Sequence, residues 1–291
     1  MVNLVAREAR VRSPDGTDLA VHVLGDGPLV VLANGLGGSL PAWEPLLEHL
    51  ATRHRVVSWD YRGLYRSGPP PHPDAVTIAD HARDLEAVLA WAGGGPAVLI
   101  GWSMGVQVVV EHALSHPEDV SALILVAGAP GDPLATVFHT SASRCVVPAL
   151  THLVELGAAP FGAALRVATA PSWAPTALQR LGILAPTADL EVFGGLAHDF
   201  ARLDWRLYMR TIRAMARHDA WPRLGELDVP TLVVGGTRDL FLPAPTVEAM
   251  ASAIPRSELW LVEGSSHYLP VEVPEALDAR IGRFIDERVA S

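Results

Sequence analysis

A chain of 291 residues, 49% hydrophobic and 19% charged, is large enough for one substantial core and carries too little charge for intrinsic disorder. Its formal net charge of −10 argues against a nucleic-acid partner. All 22 basic residues are arginines, which excludes lysine Schiff-base chemistry and a Walker-type phosphate lysine.

In chain order, the opening "MVNLVAREARVRS" lacks the apolar centre of a signal peptide. "EARVRS" and "LAVHVLG" predict two antiparallel strands turning at Asp15-Gly16. "PLVVLA" at 28–33, "RVVSWD" at 55–60, "AVLIG" at 97–101 and "SALILVAG" at 121–128 predict further strands, several as apolar throughout as buried parallel strands are. Helical spacing falls between them, at about 41–53, 77–92 and 103–115. The second of these has Thr77 in capping position, Asp80 three residues on, and glycines 93–95 as its stop. From 133 to 220 the pattern becomes Ala-, Leu- and Pro-rich and helical, without a convincing strand. Strand signal returns in "VPTLVVGG" at 229–236 and "SELWLVEG" at 257–264, and a last helix starts near Pro274. Strand-helix alternation predicts an eight-stranded, mostly parallel sheet with helices on both faces. The core is expected at 1–132 and 221–291, with a helical cap at 133–220 inserted after the sixth strand. The longest apolar run, "ALILVAGAP" from Ala122, is far short of the roughly 20 residues needed to span a bilayer. The lone Cys145 has no partner for a disulfide or a metal knuckle. A cytoplasmic location is therefore expected, with no membrane span; oligomeric state is left open, a homodimer included.

"GWSMG", residues 101–105, joins the strand at 97–101 to the following helix and matches G-x-S-x-G. A serine held in a strained turn needs small neighbours, and the helix that starts there favours developing negative charge. Such a serine needs a base, and the base needs an orienting acid. His267, in "VEGSSHYLPVEVP", lies just past the last strand. Asp239, in "LVVGGTRDLFLP", lies just past the strand before it. All three thus sit at C-terminal strand ends, where open α/β sheets bind ligands. Asp132 is the competing acid. The histidines at 49, 54, 81, 112, 116 and 198 read as polar or helix-surface residues. An oxyanion needs two donors; the Met104 amide is one, and the Leu36 amide in "ANGLGGS" is the candidate for the other.

The ordered set "NGLGG", "DYRGLYRSGPP", "GWSMG", "GGTRD" and "SSHYLP" resembles the α/β-hydrolase family, in its lid-bearing branch of esterases, lactonases, haloperoxidase-like enzymes and C–C hydrolases. The resemblance covers the whole chain. It implies Ser103 as nucleophile, His267 as base and Asp239 as orienting acid, with no cofactor and no metal. Two departures stand out: Asn34-Gly35 where relatives have His-Gly, and Tyr65 where relatives have the second glycine of Asp-x-Arg-Gly-x-Gly-x-Ser. Asn34 and Tyr65, with Trp102 beside the nucleophile, are the candidate pocket residues.

The expected reaction is hydrolysis of a small, largely apolar ester, lactone or thioester through an acyl-enzyme. Activity should rise as the histidine loses its proton. The same triad would serve a C–C hydrolase or a perhydrolase, and a slow hydrolase-fold receptor for a small hydrophobic ligand is a further alternative. Arg202, Arg206, Arg210, Arg213 and Arg217 fall on one face of an expected helix, read as a solvated face or as an anchor for an anionic group. Trp173, Trp205, Trp221, Phe138, Phe161 and Phe193 are candidates to line an apolar pocket.

Overall fold

The computed structural model describes residues 6–132 and 143–289. Eight strands form one sheet: β1 Arg7–Arg12, β2 Asp18–Leu24, β3 Leu29–Ala33, β4 Arg55–Trp59, β5 Ala97–Trp102, β6 Val120–Val126, β7 Thr231–Gly236 and β8 Ser257–Val262. Their spatial order is β1-β2-β4-β3-β5-β6-β7-β8. β1 pairs antiparallel with β2 and β2 with β4, and every later pairing is parallel. Ser13 and Gly16 close the first hairpin, with Gly16 at φ 92°, where a side chain would be strained.

The central strands bury both faces, so their side chains split by alternation into two cores. On one face Val31, Val57, Leu99, Leu123, Leu125 and Val233 pack against α2 Ile78–Trp91, α3 Met104–Ser115 and α9 Ala244–Ala253. On the other, Val30, Leu32, Val56, Ile100, Ile124 and Leu232 meet α1 Glu44–Leu50 and the C-terminal helix Pro274–Arg288. Each such side chain contributes about 1.5–3 kcal/mol on burial, so this two-faced core holds the sheet rigidly.

Local signals account for the helix ends. Thr77 and Asp80 form the reciprocal capping box, with the Asp80 amide donating to Thr77 Oγ1 and the Thr77 amide to Asp80 Oδ2. The expected helix at 41–53 is shorter. A 3₁₀ turn over Leu40–Trp43 precedes α1, because Pro41 and Pro45 lack the N–H a longer helix would use. His54, His81 and His112, read as polar surface positions, are buried. The His81 ring meets the Tyr61 ring edge-on at 4.8 Å, because this side of α2 faces the sheet.

Between β6 and β7 lie α4 Ser143–Leu156, α5 Ala158–Thr169, α6 Ala174–Arg180, α7 Leu190–Phe200 and α8 Trp205–Met215. The two ends of this stretch meet, since the Ala220 amide donates to Pro130 O at 2.8 Å. Gln107 of α3 reinforces the junction by donating to Gly131 O and Met215 O. The single helix expected through 202–217 is interrupted. Asp204 is extended and accepts from the Arg206 and Leu207 amides, so α8 starts at Trp205 and leaves Arg202 in the preceding turn. Pro270 and Val271 belong to a one-turn helix, α10 Leu269–Glu272, which leads into α11 Pro274–Arg288. No helix among the described residues is long and apolar enough to cross a membrane.

Candidate active site

β5, β7 and β8 run parallel, so the residues that follow them emerge at one edge of the sheet. Ser103 is the first residue past β5 and the residue before α3, at φ 54° and ψ −114°. That left-handed backbone costs a non-glycine residue roughly 1–3 kcal/mol and is tolerated only under tight surrounding constraint. The constraint is visible in the glycines. A Cβ on Gly105 would lie 2.0 Å from Ala33 O, one on Gly101 2.6 Å from Gly105 O, and one on Gly128 2.3 Å from Ser103 O. The Ser103 amide donates to Val126 O at 2.9 Å, which anchors the turn to β6.

Ser103 Oγ lies 2.9 Å from His267 Nε2, and His267 Nδ1 lies 2.8 Å from Asp239 Oδ2. A carboxylate can only accept, so the Nδ1 proton points at Asp239 and leaves Nε2 to accept from the serine hydroxyl. Asp239 is 3% exposed, and its Oδ1 accepts from the Phe241 and Leu242 amides at 2.7 and 2.9 Å. The carboxylate that meets His267 is therefore the one after β7 and not Asp132.

The loop that carries His267 is held from three sides. Arg238 N donates to Ser265 O and Gly264 N to Thr237 Oγ1, which stitches the loop to the turn before Asp239. The Trp102 indole donates to His267 O at 3.1 Å. Buried Glu272 accepts from the Ser266 amide at 2.7 Å, from the Ser266 hydroxyl, and from the Ala185 amide at 2.9 Å. Three donors compensate that carboxylate without a cation. Glu272 went unnoticed in the sequence because its partners lie at 185 and 266, and only the short Pro270-Val271-Glu272 turn brings them together.

Opposite the histidine stands the 34–38 loop after β3. The Asn34 side chain turns into the core, where its Nδ2 donates to Ser58 Oγ and its Oδ1 accepts from the Trp43 indole at 3.0 Å. Gly35 lies against the nucleophile turn, and a Cβ there would come 3.2 Å from Ser103 Cβ and 3.3 Å from the Trp102 ring. Trp102 thus fills the space between this loop and His267, with its ring centroid 6.4 Å from that of His267. Tyr65 donates from its hydroxyl to Gly37 O at 2.5 Å. The Met104 amide is the first of α3 and so has no acceptor within its own helix, and Leu36 donates its amide to no protein acceptor among the described residues.

The helices between β6 and β7 reach this edge through α7 and α8. Phe200 and Tyr208 stand over Gly37, where an added Cβ would lie 2.5 Å and 3.2 Å from their rings. Phe193 packs edge-on against Tyr268, whose phenol burial pushes up to about 12. Of the aromatic residues expected around a pocket, Trp205 is buried between Phe161 and Phe200, and Trp221 packs against Gly131. Trp173 is 65% exposed, and Phe138 lies outside the described residues. Arg210 and Arg213 both pair with Glu155 of α4, and Arg210 also pairs with Asp74. With Arg217 they line a cavity of about 490 Å³ beside the start of α2, which no residue of the Ser103–His267–Asp239 set lines. Among the described residues, no three His, Cys, Asp or Glu side chains group to hold a metal ion.

A family model described as alpha/beta hydrolase fold matches residues 28–274. The chain is 34% identical to polyketide synthase ThaQ of Burkholderia thailandensis over 94% of its own length, but spans only 12% of that synthase. It is 30% identical to a putative carbamate hydrolase RutD of Rhizobium rhizogenes, covering 90% of this chain and 94% of that protein. Among solved structures, esterase RhEst1 of Rhodococcus sp. ECU1013 superposes with a TM-score of 0.75 at 26% identity, over 97% of this chain and 99% of that one. The sheet order, the strand-turn-helix at Ser103 and the family match lead to one conclusion: the chain belongs to the α/β-hydrolase fold family.

Proposed function

We propose that this hydrolase cleaves a small, largely apolar carboxylic ester, lactone or thioester, with Ser103 as nucleophile, His267 as general base and Asp239 as orienting acid. The observation that carries it is the unbroken chain of hydrogen bonds from Ser103 Oγ through His267 to Asp239 Oδ2, at 2.9 and 2.8 Å. His267 Nε2 takes the hydroxyl proton as Ser103 attacks the acyl carbonyl. The amides of Leu36 and Met104 donate to the oxyanion, and the dipole of α3 favours its charge. His267 then protonates the leaving group, and water repeats the cycle to free the acid. Asp239 keeps the imidazole in the tautomer that accepts at Nε2.

In the division into a core at 1–132 and 221–291 and a cap at 133–220, the described helices of the cap, from Ser143 on, cover this site, while 133–142 lie outside the described residues. The ring contacts of Phe200 and Tyr208 with Gly37, and of Phe193 with Tyr268, support that role. The aromatic surroundings favour an apolar acyl or aryl group. The esterase name of the Rhodococcus neighbour and the carbamate-hydrolase name of the Rhizobium relative both denote attack on a heteroatom-linked carbonyl, as proposed here.

The test is release of p-nitrophenol from acetate, butyrate and octanoate esters, with an acyl thioester and an aryl carbamate in parallel. Ser103→Ala should lower kcat by on the order of a millionfold. Equal turnover by Ser103→Ala would overturn the mechanism. Preference for one acyl length or one leaving group identifies the substrate class.

A further inference from the structure

Four successive carbonyls of the 34–38 loop each accept a hydrogen bond. The Tyr61 hydroxyl donates to Asn34 O at 2.6 Å, Gly38 N to Gly35 O at 2.9 Å, the Tyr208 hydroxyl to Leu36 O at 3.4 Å and the Tyr65 hydroxyl to Gly37 O at 2.5 Å. In a trans peptide the C=O and the next residue's N–H point in opposite directions. These bonds therefore fix the direction of the amides as well as of the carbonyls.

One of the four feeds directly toward the nucleophile. Tyr65 holds the peptide between Gly37 and Gly38, whose N–H is the donor to Gly35 O. Gly35 O belongs to the peptide whose N–H is that of Leu36. Hydrogen bonds linked head to tail through peptides polarise one another, so each strengthens the next donor. Tyr65 is also one of three non-glycine residues among those described with positive φ, at 48°, beside Ser103 and Ala127. A tyrosine has no backbone reason to be there, since glycine adopts that conformation without strain. Burial, then the charges of Asp60 and Asp199, push its phenol well above the ordinary value, so it remains a donor wherever the histidine is a base.

We propose that Tyr65 is a positioning residue for the oxyanion: through peptides 37–38 and 35–36 its hydroxyl aligns and polarises the Leu36 N–H. This rests on the serine-hydrolase mechanism given above. Tyr65 touches no reacting atom and acts through the backbone alone. Tyr208 holds the 36–37 peptide, which lies outside the relay, at a longer distance.

The experiment compares Tyr65→Phe and Tyr208→Phe with the wild type on a p-nitrophenyl ester. Tyr65→Phe keeps the ring and loses the donor. Its kcat should fall about tenfold or more with KM within twofold, and its affinity for a trifluoromethyl ketone, which forms a tetrahedral adduct, should fall by the same factor. Tyr208→Phe should lose less. The midpoint of the pH profile should not move, because the relay does not touch His267. Amide hydrogen exchange gives a readout independent of turnover, with the Gly38 amide, held on Gly35 O, exchanging faster in Tyr65→Phe. Should that variant fold poorly, Tyr65→Gly, which removes the positive-φ strain, carries the same test. Serine-dependent wild-type turnover with unchanged kcat and ketone affinity in Tyr65→Phe would overturn the relay alone, as would unchanged exchange at Gly38. Wild-type turnover that survives Ser103→Ala would instead overturn the mechanism on which it rests.

Discussion

At Asp239 the geometry assigns each carboxylate oxygen a separate task. Oδ1 accepts from two backbone amides, which fixes the carboxylate, while Oδ2 faces His267 Nδ1. Asp239→Asn would place an amide where an acceptor is needed and would favour the tautomer that donates from Nε2. On the proposed mechanism kcat should fall about ten-thousandfold, with the fold intact because Oδ1 of the asparagine still accepts both amides. Retention of more than a tenth of wild-type kcat would contradict the assigned role. The serine, the histidine and the aspartate were legible in the sequence because each follows a strong strand signal and sits in a short, glycine-bearing turn. Asn34 and Tyr65 stood out as departures from the family pattern, but their tasks did not. Whether a side chain faces the pocket or turns back to the backbone depends on partners such as Ser58 and Gly37, which lie 24 and 28 residues away.

At the scale of elements, α2 carries a device that local sequence did not disclose. His81 lies between the helix and Tyr61, and neither of its ring nitrogens has a partner. Burial, reinforced by the positive charge of Arg62 and opposed by Asp80, lowers its pKa to about 3 from an ordinary 6.5. A base whose folded pKa is depressed binds protons more readily when unfolded, so its contribution to stability is complete above 6.5 and falls as pH drops toward 3. The slope approaches about 1.4 kcal/mol per pH unit within that window. His81→Phe should therefore lose less stability than the wild type between pH 6.5 and 4.5 in urea denaturation. Parallel curves for the two proteins would show that His81 does not titrate in this way. Periodicity placed α2 correctly because its capping box and glycine stop are local signals. It placed the histidine on the surface because it could not register that the sheet covers that side. The arginine spacing from 202 to 217 misled in the opposite sense. It continues through Asp204, whose side chain caps the backbone and starts α8 afresh.

For the whole molecule, the division of labour follows from where the burial lies. The sheet and its flanking helices enclose two continuous apolar cores, one on each face, and hold the strand ends in place. Among the described residues, the helices between β6 and β7 share a small cluster of their own, around Ala158, Trp205 and Met209, and leave Leu153, Leu156 and Val167 exposed. The strands were legible because continuous apolar runs bounded by turn residues have few alternative structures. The packing of α4 to α8 was not, since Ala- and Leu-rich helices fit one another in many ways. The proposed chemistry needs only the rigid part, with Ser103 as its reactive centre. The most direct measurement is to treat the folded protein with a fluorophosphonate and locate the adduct by peptide mass spectrometry. One adduct on Ser103, absent from Ser103→Ala and formed far more slowly in His267→Ala, is the predicted result. Folded wild-type protein left unlabelled, or labelling that persists in Ser103→Ala, would contradict it.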